Sequence, residues 1–222
     1  TAEAVASCGA PVPNFTAGVI ATDNCTSSLT ITQSPLAGST ANFGATTVTI
    51  TVADAAGNTT TCTATFTVVD TTAPTVTTCP PAQTASANAL GAAVLPNLSS
   101  LLVATDNCAV TQVIQFPPAG TLVPIGTISV SLAVLDAAGN TGGCLTHFQV
   151  VDTTAPTITV CASSATLEAA SNCSALIPSL TAGVTANDNS GNVTVTQSPA
   201  AGAVAAFGAN TVTITATDAA GN

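Results

Sequence analysis

An internal repeat is the strongest constraint on how this 222-residue chain can fold. The string Asp-Ala-Ala-Gly-Asn occurs three times, and its copies begin at Asp54, Asp136 and Asp218, each 82 residues after the one before. The string Val-Val-Asp-Thr-Thr-Ala-Pro-Thr begins at Val68 and again at Val150, with the same spacing. A fixed period of this length is typical of one structural unit that is repeated along the chain.

The period divides the chain into three consecutive repeats, which we place at residues 1–70, 71–152 and 153–222. We expect the first repeat to lack its first strand and the third repeat to lack its last strand. Two explanations remain open: the sequence is a window on a longer repetitive protein, or a neighbouring copy supplies the missing strand. Both predict a head-to-tail line of repeats, whose partners are further repeats of the same chain or other copies of it.

Short strands account for the pattern inside each repeat. Residues 46–53 alternate between aliphatic side chains and threonine, which predicts a half-buried antiparallel strand. Val48, Ile50 and Val52 share the inward face of this strand. The equivalent inward faces of the second and third repeats carry Ile128, Val130, Leu132 and Val134, and Val212, Ile214 and Ala216.

The Asp-Ala-Ala-Gly-Asn string follows that strand and predicts a hairpin turn, because glycine adopts positive φ without a steric penalty. Residues 62–69 predict the return strand, with Ala64, Phe66 and Val68 facing inward. Strands bounded by turns, about seven in each period, are typical of a sandwich. The sequence therefore predicts an all-β fold of tandem immunoglobulin-like β-sandwich repeats.

The charge balance excludes several classes of partner. The chain has no Lys and no Arg against ten acidic residues, so its formal net charge is −10. Binding to nucleic acid or to an anionic membrane requires basic side chains, so neither is expected. Inside the molecule the carboxylates repel one another unless a cation joins them.

The cysteines and the hydropathy pattern indicate a secreted, extracellular protein. Eight cysteines without a CxxC motif or a histidine cluster predict disulfides rather than a zinc site. Disulfides persist in oxidising compartments. No apolar run approaches the roughly 20 residues of a membrane span, so membrane insertion is not expected.

Nothing in the sequence predicts catalysis. His147 is the only histidine, it has no counterpart in the other repeats, and it falls on a predicted strand beside Phe148. A catalytic triad needs a pocket and an oriented partner that this pattern does not provide. We expect a protein that is not an enzyme and has no catalytic residues.

Acidic residues recur at three places in the period: the linker between repeats, an Asp-Asn loop and the Asp-Ala-Ala-Gly-Asn turn. In an immunoglobulin-like topology these three places lie at the same end of a sandwich. They predict one cluster at each junction, formed by Asp70, Asp106 and Asp136, and by Asp152, Asp188 and Asp218. Ca²⁺ takes carboxylate and amide oxygens as ligands, so calcium is the candidate cofactor. The alternative is that these side chains only cap their own turns.

The ordered motifs resemble the hyalin repeat, or HYR, family. They are Thr-Asp-Asn-Cys at residues 22–25, Phe43-Gly44, the Asp-Ala-Ala-Gly-Asn turn, Cys62, and Phe66 within the return strand. The resemblance covers essentially the whole chain. It implies immunoglobulin-like modules in tandem arrays of extracellular proteins, a link to cell adhesion and no catalytic residues.

The cysteines occupy four positions of the repeat: first strand, second strand, Asp-Asn loop and last strand. In that order they are Cys79 and Cys161, Cys8 and Cys173, Cys25 and Cys108, and Cys62 and Cys144. The resemblance implies a pair between the first and last strands, Cys79–Cys144, which leaves Cys8–Cys25 as a second pair. A competing scheme joins loop to last strand, as Cys25–Cys62 and Cys108–Cys144, with Cys161–Cys173 separate. The sequence does not decide between them.

Two functions fit these observations. The first is a structural subunit of an extracellular fibre, filament or surface stalk built from tandem repeats. The alternative is an adhesin or receptor ectodomain that binds a protein or a glycan. Near-equivalent repeats favour the structural function, because a receptor is expected to have one deviant repeat.

Overall fold

The computed structural model describes all 222 residues and is almost entirely β-structure. Only three 3₁₀ turns interrupt it, at Thr16–Gly18, Ser99–Leu101 and Thr181–Gly183. The strands are β1 (Ala2–Glu3), β2 (Gly9–Pro11), β3 (Thr30–Ser34), β4 (Thr40–Asn42), β5 (Gly44–Ala53), β6 (Thr59–Val69), β7 (Thr75–Thr78), β8 (Gln83–Ser86), β9 (Ala92–Val94), β10 (Val103–Thr105), β11 (Val110–Phe116), β12 (Leu122–Pro124), β13 (Gly126–Asp136), β14 (Thr141–Val151), β15 (Thr157–Val160), β16 (Ser174–Leu176), β17 (Thr185–Asn187), β18 (Val193–Ser198), β19 (Val204–Ala206) and β20 (Thr213–Asp218).

Two compact units make up the chain, and strands β13 and β14 contribute residues to both. The first unit comprises residues 1–80, 97–117 and 130–146. The second comprises residues 81–96, 118–129 and 147–222.

The first unit contains a four-stranded sheet in the order β1-β6-β5-β3 and a two-stranded sheet of β2 and β4. The predicted strands 46–53 and 62–69 lie within β5 and β6, which form the expected antiparallel hairpin. Gly57 occupies the left-handed region at φ 90° in the turn between them. The alternating aliphatic and threonine residues of this hairpin therefore lie on opposite faces of one sheet.

The core of the first unit lies between these two sheets. Val48, Phe66 and Val68 are each at most 2% exposed, and they pack in one cluster with side chains of β2, β4 and the segments beside them. Burial of a side chain such as Phe66 contributes about 1.5–3 kcal/mol. The other members of the cluster are Ala4, Ala10, Val12, Ala41 and Cys108.

The same unit includes part of the second repeat. There β7 pairs with β10, and β11 pairs with β13, both antiparallel. Val130, Leu132 and Val134 of β13 are fully buried, which is the face that the alternation predicted.

Strands β13 and β14 are neighbours in one sheet, and further strand pairs lie in the second unit. They are β8 with β14, β9 with β12, β15 with β17, β16 with β19, and β18 with β20. Phe148 and Val150 of β14 are each 1% exposed. The fold is therefore the predicted one, a tandem array of immunoglobulin-like β-sandwich repeats.

The third repeat differs from the expectation at one strand. Val212 lies just before β20, which begins at Thr213, and Ile214 and Ala216 are half-buried rather than buried. Strand β20 pairs with β18 alone, whereas β5 has a partner on each side. Its inward face borders a groove that also contains Phe207.

Two parallel strand pairs were not predicted. Strand β1 pairs parallel with the end of β6, and β8 pairs parallel with the end of β14. Alternating hydrophobicity identifies the buried face of a strand but carries no information about the direction of its neighbour. These pairs place β1 and β8 beside the linkers that begin at Asp70 and Asp152.

A glutamine at the same position of each repeat fixes the backbone around it. Gln33 is 7% exposed, and its Nε2 donates to the carbonyl oxygens of Pro13 and Pro35 at 3.0 and 3.1 Å. Its Oε1 accepts the backbone N–H of Phe15 at 2.7 Å. Gln197 makes the equivalent three bonds in the third repeat.

We predict that Gln33→Leu lowers the free energy of unfolding by about 2–3 kcal/mol, because buried backbone groups lose their partners. Urea denaturation measures the change. Gln112→Leu is the matched control: Gln112 is exposed on β11, so its replacement is expected to change stability by less than about 0.5 kcal/mol. Equal effects of the two substitutions contradict the assigned role of Gln33.

Candidate metal centres

Three aspartates from three separate elements meet in the first unit. Asp70 follows β6, Asp106 follows β10, and Asp136 is the last residue of β13. One carboxylate oxygen from each lies within 4.8 Å of those of the other two. Asp70 is 6% exposed and Asp136 is 4% exposed. The structure therefore brings together the first predicted set of acidic residues.

Buried oxygen atoms in this cluster lack hydrogen-bond donors. They are Asp70 Oδ2, Asp106 Oδ2 and Asn107 Oδ1. Asn107 belongs to the cluster because its Nδ2 donates to Asp70 Oδ1 at 3.1 Å. Leaving a buried acceptor unpaired is unfavourable, and leaving several together is more so. A cation bound among the carboxylates would give the two unpaired carboxylate oxygens a positively charged partner.

The hairpin turn positions Asp136 against the linker. Asn140 Nδ2 donates to Asp136 Oδ2 at 2.7 Å, and also to the carbonyl oxygens of Asp70 at 3.1 Å and Thr72 at 3.2 Å. The terminal Asn of the turn motif thus joins two of the three carboxylate-bearing segments. We call this group of residues the first centre.

Turn capping and ligand geometry coexist in the first centre. Asp106 Oδ1 accepts the N–H of Cys108 at 2.8 Å, and Asp70 Oδ1 accepts the N–H of Thr72 at 3.1 Å. In both residues the second oxygen is the unpaired one. The capping bonds therefore orient the carboxylates and leave their other oxygens available to a metal ion.

The second centre repeats this arrangement in the second unit with Asp152, Asp188 and Asp218. Its unpaired buried atoms are Asp152 Oδ2, Asp188 Oδ1 and Asn189 Oδ1. Asn222 has the place of Asn140: its Nδ2 donates to Asp218 Oδ2 at 2.9 Å and to the carbonyl of Asp152 at 3.3 Å.

Each centre offers three carboxylates and one amide carbonyl, with no nitrogen or sulfur ligand. An all-oxygen set of this charge fits a hard cation, and soft metals prefer imidazole or thiolate. Ca²⁺ takes six to eight oxygens in flexible geometry, whereas Mg²⁺ keeps several waters and is usually held by one or two carboxylates. The donor set therefore fits Ca²⁺ better than Mg²⁺.

Comparison with known proteins identifies the repeats. The model of the HYR domain matches residues 11–68, 69–150 and 151–222. The chain belongs to the HYR domain family. The hypothesis made from the motifs is confirmed, and the chain is accordingly built of extracellular repeat domains. A search of curated protein sequences found no match.

Solved cadherin fragments are similar to the HYR chain in fold only. Protocadherin Gamma C5 EC1-3 aligns at 16% identity and TM-score 0.39, over 74% of this chain and 66% of that one. Human CDH23 EC21-23 aligns at 13% identity and TM-score 0.37, over 100% of this chain and 93% of that one. Protocadherin Gamma B7 domains 1-4 align at 13% identity and TM-score 0.32, over 70% of this chain and 44% of that one. The chain spans less than two thirds of the first of these and less than half of the last.

None of the helical segments of the HYR chain has the length and hydropathy needed to cross a membrane.

Two disulfides are present, and one of them joins consecutive repeats. Cys79 pairs with Cys144 within the second repeat, as the family resemblance implied. Cys8 of the first repeat pairs with Cys108 of the second, a pair that neither scheme contains. Both schemes assumed that bridges close within one repeat, and the contact between repeats was not considered.

Four of the proposed pairs are therefore not formed. Cys8–Cys25 and Cys108–Cys144 are wrong because one or both partners are bonded elsewhere. Cys25–Cys62 and Cys161–Cys173 are wrong because all four thiols are free and exposed.

The second junction replaces the inter-repeat disulfide with a close backbone approach. Gly91 has φ 70°, and a Cβ there would lie 2.6 Å from the carbonyl oxygen of Asn189. Asn189 Nδ2 in turn donates to the carbonyl of Asn88 at 3.0 Å. At the first junction Asn107 Nδ2 similarly donates to the carbonyl of Ala4 at 3.1 Å.

The side chains of Asn107 and Asn189 were missing from the predicted sites. Their amide nitrogens bond the preceding repeat, and their oxygens remain unpaired beside the acidic clusters. The signal for them was present in the sequence, because Asn follows Asp in each copy of the loop motif.

Hydrogen bonds keep the turn and loop carboxylates ionised. For Asp188, the Ser190 hydroxyl and then its backbone N–H hold the pKa below 3.8, against burial and the charge of Asp218. For Asp136, burial acts to raise the pKa, but the side-chain and backbone N–H groups of Asn140 and its neighbours outweigh it, so the pKa is lowered. The pKa of Asp218 is lowered in the same way.

We predict that Ser190→Ala raises the pKa of Asp188 in the metal-free protein. A carboxyl group with a depressed folded-state pKa stabilises the protein above its unfolded-state pKa, and this stabilisation is lost as the pH falls through the folded value. The substitution should therefore move the loss to higher pH. Carboxyl ¹³C NMR measures the pKa of Asp188, and denaturation at a series of pH values measures the loss of stability. The pKa of Asp54 is the internal control and should not shift. An unchanged Asp188 titration contradicts the prediction.

Proposed function

We propose that this HYR chain is a structural segment of an extracellular fibre, filament or surface stalk, in which Ca²⁺ stiffens the junctions between repeats. The observation that supports this most directly is the set of buried oxygen atoms without donors that occurs at both junctions. Other copies of the chain, or further repeats, are its partners in the array.

Because the chain has no basic residues, a metal ion is the counter-charge that we propose for each centre. Each centre concentrates three carboxylates, and the chain contains no Lys or Arg to balance them. Asp136, Asp188 and Asp218 have lowered pKa values, so these groups are ionised at neutral pH. A bound divalent cation removes most of the repulsion that remains at each centre.

A cation in the first centre contacts both sides of the junction. Asp70 belongs to the linker, and Asp106 and Asp136 belong to the following repeat. Asn107 connects that repeat to the preceding one through the carbonyl of Ala4. Binding therefore holds the linker against both repeats and restricts bending at the junction.

The equivalence of the two centres favours a structural function over ligand recognition. Both junctions have acidic residues at the same three positions and unpaired oxygens on the same types of side chain. At both, the terminal Asn of the turn donates to the carboxylate of the turn Asp. A receptor that used one loop for recognition would need one junction to differ in its acidic residues, and neither does.

We predict that Ca²⁺ raises the melting temperature of the metal-free protein. At a hundredfold excess over Kd a single site stabilises the folded state by about 2.7 kcal/mol. For a chain of this size that corresponds to a shift of about 5–10 °C. Calorimetric titration should detect two Ca²⁺ sites per chain, and Mg²⁺ should produce a smaller shift at the same concentration.

Asp106→Ala is predicted to remove one of the two sites. Asp23→Ala is the matched control: Asp23 makes the same capping bond, from the N–H of Cys25 at 2.8 Å, but belongs to no group of three acidic residues. The control should retain both sites. No thermal response to millimolar Ca²⁺, or equal loss of binding in the two variants, contradicts the proposed function.

A further inference from the structure

The disulfide between Cys8 and Cys108 ends in the loop that carries two residues of the first centre. Cys108 directly follows Asp106 and Asn107 in the chain. Its N–H donates to Asp106 Oδ1 at 2.8 Å, and its Sγ lies 3.9 Å from Asn107 Nδ2. Cys108 is buried in the core cluster of the first unit, and Cys8 packs against that cluster. The bond therefore fixes the position of the loop that supplies Asp106 and Asn107.

The other end of the disulfide is anchored beside the linker. Cys8 lies in a turn shortly after Ala4. The N–H of Ala4 donates to the carbonyl of Val69 at 2.7 Å, and the carbonyl of Ala4 accepts Asn107 Nδ2 at 3.1 Å. Val69 directly precedes Asp70. The disulfide and the hydrogen bonds of Ala4 therefore tie the loop of the second repeat to the linker.

The loop is the least buried side of the first centre. Asp70 is 6% exposed and Asp136 is 4% exposed, whereas Asp106 is only half-buried. The second carboxylate oxygens of Asp70 and Asp106 have no donor. Because neighbouring carboxylates repel one another, an empty centre favours displacement of the loop. The covalent bond at Cys108 opposes that displacement.

The second junction repeats these positions without a covalent bond. Gly91 takes the place of Cys8: its φ is 70° against 54°, and its N–H closes the same turn, at 2.9 Å against 2.8 Å. Ser190 takes the place of Cys108, and its N–H donates to Asp188 Oδ2 at 2.7 Å. The chain thus contains two centres with matching acidic residues, of which one has a covalently held loop.

We propose that the Cys8–Cys108 disulfide raises the Ca²⁺ affinity of the first centre above that of the second centre, and that reduction of the bond removes this difference. The inference rests on the calcium sites of the proposed function. Donors that are already held in place lose less freedom when the ion binds, so preorganisation increases affinity. Coupling between two sites usually changes an affinity by about 5- to 150-fold, and we expect about tenfold here.

The same coupling makes the disulfide sensitive to Ca²⁺. If the oxidised protein binds Ca²⁺ more tightly by some factor, bound Ca²⁺ shifts the disulfide equilibrium toward the oxidised form by that factor. For a two-electron couple a tenfold shift corresponds to about 30 mV, toward a more negative reduction potential. The first junction is therefore hardest to reduce when Ca²⁺ is bound, and the first centre binds Ca²⁺ least tightly in a reducing environment.

The redox step is the reduction of one protein disulfide by one dithiol such as dithiothreitol. One thiolate of the reagent attacks the sulfur of Cys8, and Cys108 leaves as a thiolate. The second thiolate of the reagent then closes it to a cyclic disulfide and releases Cys8. Two electrons pass to the protein, and the two thiol protons of the reagent pass to the two cysteines.

The affinity difference is tested by calorimetric titration of the full oxidised chain with Ca²⁺, which is expected to resolve a tighter and a weaker site. Asp106→Ala should remove the tighter site, and Asp188→Ala should remove the weaker one. In C8S/C108S the first centre should weaken by about tenfold, whereas the affinity of the second centre should change by less than about twofold.

The Cys79–Cys144 bond is the matched control, because it closes within the second repeat. C79S/C144S should leave the ratio of the two affinities unchanged. A redox titration of the unsubstituted chain avoids variants that fold poorly: dithiothreitol mixtures set the potential, and alkylation with Asp-N peptide mapping follows each bond. With Ca²⁺ the midpoint of Cys8–Cys108 should become more negative by about 30 mV, and that of Cys79–Cys144 by less than half as much.

The results separate this inference from the calcium proposal. Two sites of equal affinity, a tighter site that Asp188→Ala removes, or an unchanged first centre in C8S/C108S overturns the inference and leaves the calcium sites in place. A midpoint of Cys8–Cys108 that Ca²⁺ does not move, while both centres bind the ion, has the same meaning. Failure of the oxidised chain to bind Ca²⁺ at either centre overturns the proposed function as well.

Discussion

Repulsion among carboxylates that no basic side chain balances is the constraint on which the junctions of this HYR chain depend. The linker, the Asp-Asn loop and the hairpin turn each bring one aspartate to the same place, and both junctions do this identically. Asn140 and Asn222 hold the turns against the linkers, so two of the three carboxylate-bearing segments at each junction are tied together. The fold thus builds the charge cluster through hydrogen bonds, and no Lys or Arg side chain is present to neutralise it.

The two junctions share this electrostatic design but differ in how the backbones are fastened. The first uses a disulfide that is packed into the core, and the second uses the direct approach of Asn189 to Gly91. A side chain at position 91 would collide with that carbonyl, so the glycine is required by the contact as well as by its positive φ. The first junction is therefore covalent, and the second is held by reversible contacts.

Most of the fold could be predicted from the sequence. The alternation of aliphatic and polar side chains defines each strand, and the 82-residue period shows that the same strands recur in every repeat. The β5–β6 hairpin and both acidic clusters followed from residues such as Val48, Phe66 and Asp106 in repeated positions. The Cys8–Cys108 bond could not be predicted, because a repeat period describes one unit and carries no information about the face that meets the next. The roles of the amide groups of Asn107 and Asn189 depend on the same face and were missed for the same reason.

The inter-repeat disulfide also determines how the chain carries mechanical load. When a force pulls the two ends of this chain apart, tension passes through the Cys8–Cys108 bond instead of through the intervening polypeptide, a sequence separation of 100 residues. Roughly 330–360 Å of contour is thereby withheld from extension, at about 3.3–3.6 Å per residue. Most of the first repeat then bears no tension. Between Cys108 and Cys144 the segment 79–108 shares the load through the Cys79–Cys144 bond, and only the residues after Cys144, where the second junction has a reversible fastening, carry the load alone.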